Sequence, residues 1–454
     1  MASNDNRSPG DFQKSLGVWL SLVVLMFCAV VAIQIDAHRP LLPHAIPPTA
    51  ARVANTKRAP QAGTVVGPSS VGPSSAKTDV KPDLSASPSK SPLIRVNVTP
   101  GAVASFRLEI RGPYSIRALG TSKQLSKGDS LAATVVLPTA TGLRIGEKSY
   151  SATQLEVIAK EPPAIRVDDH LYRGVMRLFR RTDGSVSAVN VLPVEEYLAS
   201  VVDSEMPAAF PAAAREAQAI VSRTYAFYQM AHADPAAVYD LFSSQRSQKY
   251  QGVEYLTAGR RLAGESESSR QAVAATHGIV CTYRGKLFCT YYSAVCGGRT
   301  TDGSQIFTDA VDILKPVTCD GCRDSEYHRW IVSIGKDEFL KAVQQKGAIT
   351  KIVTIRQFEP PGSGKISRFE FSDGKKTAAL TGVELRERLP PGVLRSPHFT
   401  LHLEKNTIRA DGRGHGHGVG FCQWGARGLA LIGKKSQEIV HHYYPGAKLE
   451  VKKY

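Results

Sequence analysis

Leu16 to Ile35 form a 20-residue apolar run, LGVWLSLVVLMFCAVVAIQI, and no second run of that length occurs in the 454 residues. As a helix it rises about 30 Å, one hydrocarbon core. Lys14 precedes it and Arg39 follows it. A cleaved signal peptide needs small residues at the cut, and Ile35-Asp36-Ala37 begins with Ile. The run is therefore read as an uncleaved, single-pass transmembrane anchor. Residues 1–15 lie inside and the large remainder outside. Residues 36–92 hold ten of the 27 prolines and no Phe, Trp or Tyr, and Val66-Gly67-Pro68-Ser69-Ser70 repeats at once as Val71 to Ser75. Such a segment buries too little apolar surface to offset the entropy of ordering it, so 36–92 reads as a disordered Pro/Ser/Gly-rich linker.

Hydrophobic residues make up 42% of the chain and charged residues 21%, which excludes wholesale disorder. A single apolar span excludes a multi-spanning membrane protein. The net charge is +17, of which the anchor region contributes none and the linker +4, leaving +13 on residues 93–454. A basic exported region suits an acidic polymer. No nucleic-acid-binding motif is present, so nucleic acid is not the expected partner.

From Leu93 the pattern turns to short alternating runs. Ile94-Arg95-Val96-Asn97-Val98 and Phe106-Arg107-Leu108-Glu109-Ile110 alternate as half-buried strands do. Residues 93–190 are read as a β-rich subdomain and 191–454 as the functional region. There, Val194, Leu198 and Val201 mark a helix that Met206-Pro207 closes, and Pro211 opens a second with an Ala-rich stripe. A hairpin is expected around Gly285, strands near 329–334, 351–358 and 366–371, a helix over 336–346, and a helical pattern over 423–443. The fold class is α+β with mixed element order, not a doubly wound sheet.

Three segments carry a family resemblance. Ser204-Glu205-Met206-Pro207, with Pro211 to Ala226 (PAAAREAQAIVSRTYA), resembles the signature of the SpoIID/LytB domain. Gly412 to Ala426 (GRGHGHGVGFCQWGA) resembles its C-terminal signature, and Ser293 to Thr300 (SAVCGGRT) a third element. His442-Tyr443-Tyr444-Pro445-Gly446 also fits, and the resemblance spans about residues 94–454. The chain departs at Glu216, where family members often carry Lys. The resemblance implies a SpoIID-like mixed fold and a peptidoglycan-active protein at the bacterial cell membrane, with its functional region on the extracytoplasmic side. Sporulation protein D is a lytic transglycosylase of stem-free glycan strands, and LytB-like relatives are amidase enhancers. The expected partners are peptidoglycan glycan strands and a cell-wall amidase.

Lytic transglycosylation needs one carboxyl group. It protonates the glycosidic oxygen, then as carboxylate takes the proton of the C6 hydroxyl that attacks C1. Glu205 is the candidate. Burial must raise its pKa against the pull of the helix N-terminus at Pro211. Arg223 is the candidate for binding a glycan carboxylate or N-acetyl group, or for steadying ionised Glu205. Tyr225 and Gln423 are candidate sugar contacts. His415 and His417, flanked by alternating glycines, are expected on one side of their loop as substrate contacts. Cys319-Asp320-Gly321-Cys322 is a zinc-knuckle spacing, and Cys296 and Cys422 fall in the resembling segments. These four either hold one structural zinc or form two disulfides; His277 or His328 could replace one Cys. Cys281 and Cys289 fall opposite each other if the Gly285 hairpin has a three-residue loop, where a cross-strand disulfide and two buried free thiols are equally open.

Overall fold

The structure is a computed structural model, and it describes residues 91–344 and 349–454. The anchor at 16–35 and nearly all of the 36–92 linker lie outside the described residues. No helix among the described residues is long and apolar enough to cross a membrane.

Two antiparallel-dominated sheets fill the first hundred described residues. In the first, Leu93–Asn97 pairs with Val186–Pro193, followed by Val175–Arg180, Gln154–Ala159, Tyr114–Ala118 and Gln124–Gly128; Leu241–Phe242 adds to the other edge in parallel. The second runs from Arg260–Ala263 through Ile165–Val167 and Phe106–Ile110 to Lys148–Tyr150. The alternation at Phe106–Ile110 is realised, with Phe106, Leu108 and Ile110 buried. The two sheets share one core, which includes Ile94, Val96, Leu108, Ile116, Leu155 and Leu178.

Strand Val186–Pro193 passes directly into helix α1 (Val194–Glu205), whose first turn carries Glu195 and Glu196. Acidic side chains there complement the helix dipole. Met206 ends the helix in extended conformation, as a residue before proline prefers. Helix α2 (Ala212–His232) starts after Pro211. Its 21 residues span about 32 Å. Rather than one stripe, α2 buries nearly its whole circumference from Ala214 to Phe227. Ala219, Ala226 and Phe227 face the first core, while Ala214, Ala217, Ile220 and Val221 face a second. Small alanines let both cores approach its backbone.

Helix α3 (Glu267–Ala275) packs on α2, and a hairpin follows. Its loop is a two-residue turn, Arg284-Gly285, because Tyr283 pairs with Lys286. Both turn residues have positive φ, 52° and 74°, the geometry that matches strand twist. That register does not set Cys281 opposite Cys289, as a three-residue loop would have, and the alternative of two buried free thiols is the one present.

A third core gathers Trp330, Phe339, Phe369, Phe371, Leu385 and Phe399. It is built from two three-stranded sheets, helix α4 (Lys336–Gln344) and helix α5 (Gly382–Arg388). Its strands Trp330–Gly335 and Thr407–Gly412 lead out of the cysteine knuckle and into the glycine–histidine loop. The expected helical stretch 423–443 divides into α6 (Gln423–Leu431) and α7 (Ser436–Tyr443). Gly433, at φ +85°, breaks it, as a residue with no Cβ does at a helix end. The described part is thus mixed and strand-rich with seven helices.

Candidate active site

Glu205 is the last residue of α1, where the negative end of the helix dipole disfavours a carboxylate. Its Oε1 accepts the Lys249 backbone N–H at 2.9 Å, and its Oε2 accepts the Gln423 amide at 3.2 Å. The Gln423 amide also reaches Gln218 Oε1 on α2 at 3.4 Å. The Tyr292 hydroxyl is buried beside the carboxylate and meets no partner at hydrogen-bonding geometry. Burial raises the Glu205 pKa, and the donors from Lys249 and Gln423 pull it back. In the balance of helix ends and burial, burial wins.

The turn after Glu205 is pinned by a buried arginine. Arg215 donates to the Met206 carbonyl at 3.0 Å and pairs with Asp203. Asp203 in turn accepts Ser266 Oγ at 2.8 Å and Ser269 Oγ at 3.2 Å, which ties in the start of α3. Residues on both sides of Glu205 are therefore held by one guanidinium.

Two other segments close the site. Tyr292–Ser293 pairs in parallel with Phe421–Cys422, which brings the SAVCGGRT segment against the end of the glycine–histidine loop. Glycines 414, 416, 418 and 420 all have positive φ. At Gly420 (φ +69°) a Cβ would sit 2.3 Å from the Tyr291 carbonyl, so only glycine fits. The left-handed glycines also break the strand-like alternation, so the two histidines do not share neighbours as expected. His415 edges onto Tyr327 at 4.8 Å, and His417 onto Phe307 at 5.0 Å and Tyr291 at 6.1 Å. Burial lowers both pKa values to about 4, so both imidazoles are neutral at pH 7. His417 Nδ1 accepts the Val419 N–H at 3.0 Å, which fixes the ring against Phe307 and Tyr291.

Of the expected site residues, the structure brings Gln423 onto Glu205 and Tyr225 towards it. Tyr225 is buried on α2 within the field of the carboxylate. Arg223 is placed elsewhere. It is fully buried and chelates Glu195 through two 2.7 Å hydrogen bonds. Its remaining N–H groups reach the carbonyls of Val273 and Ile279, each at 3.2 Å. It touches neither Glu205 nor solvent, which corrects the expected substrate role: it locks α1, α2 and α3 together. Removing one partner of a buried pair leaves an uncompensated charge. Arg223→Ala is accordingly expected to lower stability by about 3–5 kcal/mol in urea unfolding, and a variant with parental stability would refute this. The residues that sequence reasoning missed are Tyr292, Gln218, Arg215 and the Lys249 N–H. Tyr292 adjoins the SAVCGGRT segment, and Gln218 and Arg215 stand inside a quoted motif. A backbone N–H has no residue signature.

Cys296, Cys319, Cys322 and Cys422 are all buried, and their sulfur atoms lie within 4.8 Å of one another with none bonded. Cys422 Sγ accepts the N–H groups of Cys296 and Gly425, each at 3.3 Å. His328 Nδ1 stands 3.4 Å from Cys322 Sγ, outside the four-sulfur cluster. A Cβ on Gly425 would fall 2.4 Å from Cys319 Sγ, so glycine admits the knuckle here.

Comparison with known proteins matches residues 182–283 to the SpoIID family, Stage II sporulation protein. Stage II sporulation protein D of Bacillus amyloliquefaciens is 30% identical over 269 residues, 58% of this chain and 75% of that one. The chain belongs to the SpoIID/LytB family. An uncharacterised protein of Brachyspira hyodysenteriae is 28% identical over 358 residues, 79% of this SpoIID-family chain and 92% of the relative. The amidase enhancer of Bacillus subtilis is 23% identical over 302 residues, 56% of this chain and 40% of that protein.

Proposed function

We propose that this protein is a membrane-anchored lytic transglycosylase that cleaves peptidoglycan glycan strands with Glu205 as its single acid and base. The observation that carries the reading is the Glu205 environment. Burial favours the neutral acid, while Lys249 N–H and Gln423 stand ready for the anion. The two halves of the reaction need those two states in turn. Neutral Glu205 gives its proton to the glycosidic oxygen as the C1–O bond breaks. The carboxylate, now held by two donors, takes the C6 hydroxyl proton as O6 bonds to C1. The product is a 1,6-anhydro sugar, with no water consumed. The apolar run 16–35 would anchor the chain in the cell membrane and 36–92 would carry the functional region outward into the wall, where its +13 charge suits an anionic polymer.

The four cysteines fit one structural zinc. A zinc–sulfur bond of about 2.3 Å in a tetrahedron puts sulfurs about 3.8 Å apart. Cys296 Sγ and Cys322 Sγ are 3.8 Å apart, while a disulfide needs about 2.05 Å. Zinc would fasten Cys296, the 319–322 knuckle and the start of α6 into one unit. Four protein ligands leave no open position, so its role there is structural.

The test is product analysis. The full chain, incubated with stem-free glycan strands, is expected to release fragments with 1,6-anhydro ends. A second reading follows from the amidase-enhancer relative: a wall-binding module that stimulates an amidase without cutting glycan. Stimulation of a cell-wall amidase with no anhydro products would establish that reading and overturn the first.

A further inference from the structure

Each hydrogen bond that Glu205 accepts has a buried glutamine behind it. On the Oε2 side, Gln423 Nε2 reaches Glu205 and also Gln218 Oε1. Gln218 Nε2 in turn donates to Ser222 Oγ at 2.8 Å, one turn further along α2. On the Oε1 side the donor is the Lys249 N–H, and Lys249 follows Gln248 in the chain. Gln248 Nε2 donates to the Ser222 carbonyl at 3.4 Å, and its Oε1 accepts the Tyr197 hydroxyl at 3.1 Å. Both branches therefore meet at Ser222. Gln218, Ser222 and Gln248 are fully buried, so none of the three side chains reaches solvent.

The direction of these bonds decides what they do. A primary amide presents either its NH2 group or its carbonyl oxygen to a neighbour, and the surrounding partners select which. Ser222 Oγ takes the Gln218 NH2 group, which turns the Gln218 carbonyl oxygen onto Gln423. An acceptor there draws the Gln423 NH2 group, whose other N–H falls on Glu205. With that end forward, Gln423 stabilises the carboxylate. With its carbonyl forward, it would accept the proton of the neutral acid and oppose ionisation. Around the carboxyl, the 243–251 loop adds the Lys249 ammonium, α1 the Tyr197 phenol, α2 the Tyr225 phenol and the 292–293 strand the Tyr292 phenol. Burial holds all three phenols above their ordinary range, so none ionises alongside Glu205. Asp203, also on α1, is paired with Arg215, and α6 turns the uncharged Gln423 amide to the site.

We propose that Gln218 is a positioning residue for the acid–base step: anchored on Ser222, it holds the Gln423 amide with its NH2 end on Glu205. The proposal rests on the Glu205 reading and deepens it. The first step creates the carboxylate and the second consumes it, so both pass through the anion that this amide stabilises.

The experiment reads the Glu205 titration directly. The full chain in detergent is labelled with 13C at the glutamate side-chain carboxyls, and the Glu205 signal is the one missing from Glu205→Gln. Gln218→Met keeps the length of the side chain and removes the acceptor. In that variant Glu205 is expected to titrate about one to two pH units higher, the effect of losing a donor to a charged group. The alkaline limb of anhydro-product release, where the neutral acid is lost, should move up with it. The kcat should fall about 10- to 100-fold with KM unchanged, because Gln218 touches no substrate. Ser222→Ala removes the acceptor that orients Gln218 and should shift the titration and the limb the same way by less. It carries the test if a thermal melt finds Gln218→Met unfolded. A loosened core would lower the folded fraction without moving the limb. An unchanged or lowered Glu205 titration in the folded variant overturns the positioning role. A raised titration in a protein that yields no anhydro products would leave that role standing and reject cleavage alone.

Discussion

Glu205→Gln is expected to lower the rate of 1,6-anhydro product release by about 10²–10⁴-fold, the range typical for loss of a positioned general acid–base. Glutamine keeps the shape and can still accept one of the hydrogen bonds from Lys249 and Gln423, but it carries no transferable proton. A variant that cuts at the parental rate would remove Glu205 from the mechanism. The same substitution has an opposite consequence for stability. The Glu205 pKa is raised in the fold by burial, so the fold favours its neutral form. That contribution is fully present below the ordinary carboxylate range and is lost as pH rises through the raised value. Glutamine mimics the neutral form at every pH. The variant should therefore melt at a higher Tm than the parent near neutral pH, and the difference should close on acidification. A variant that melts lower at neutral pH would contradict the burial account.

Loss of the four-cysteine centre is expected to have the largest effect on the fold. Structural zinc sites contribute on the order of 10–16 kcal/mol of apparent binding free energy at neutral pH. The cluster lies inside the second core, against Ala426, Tyr443 and the segment that carries Tyr292. A chelator, or Cys422→Ser, should lower Tm steeply and abolish activity in parallel, and metal analysis should find one zinc per chain. Two disulfides would behave differently: a reductant would destabilise the chain, a chelator would not, and no zinc would be found.

The elements were legible where local pattern decides them. Pro193, Met206-Pro207 and Pro211 punctuate α1 and α2 through backbone sterics that need no tertiary partner. Alternation at Phe106–Ile110 marked a strand because one face packs on the core. The hairpin at Gly285 was legible from its turn residues, but its two-residue loop was not, since loop length is set by the register of the paired strands. The division of 423–443 at Gly433 was missed because a single glycine weakens a helical pattern without erasing it.

At the site, the sequence by itself determined the family, the candidate carboxylate Glu205 and the four cysteines, because these depend on residue identity at fixed spacing. Only the tertiary structure decided the company each residue keeps. Arg223 sits two residues before Tyr225 on α2, yet it faces Glu195, while Tyr225 lies in the field of Glu205. A turn of about 200° along a helix separates their directions, and what waits there belongs to distant segments. The Lys249 N–H reaches Glu205 across 44 residues, and Gln423 reaches it across 218. Burial and charge pairing are long-range properties, and they are what turn a glutamate in a motif into an acid with a raised pKa.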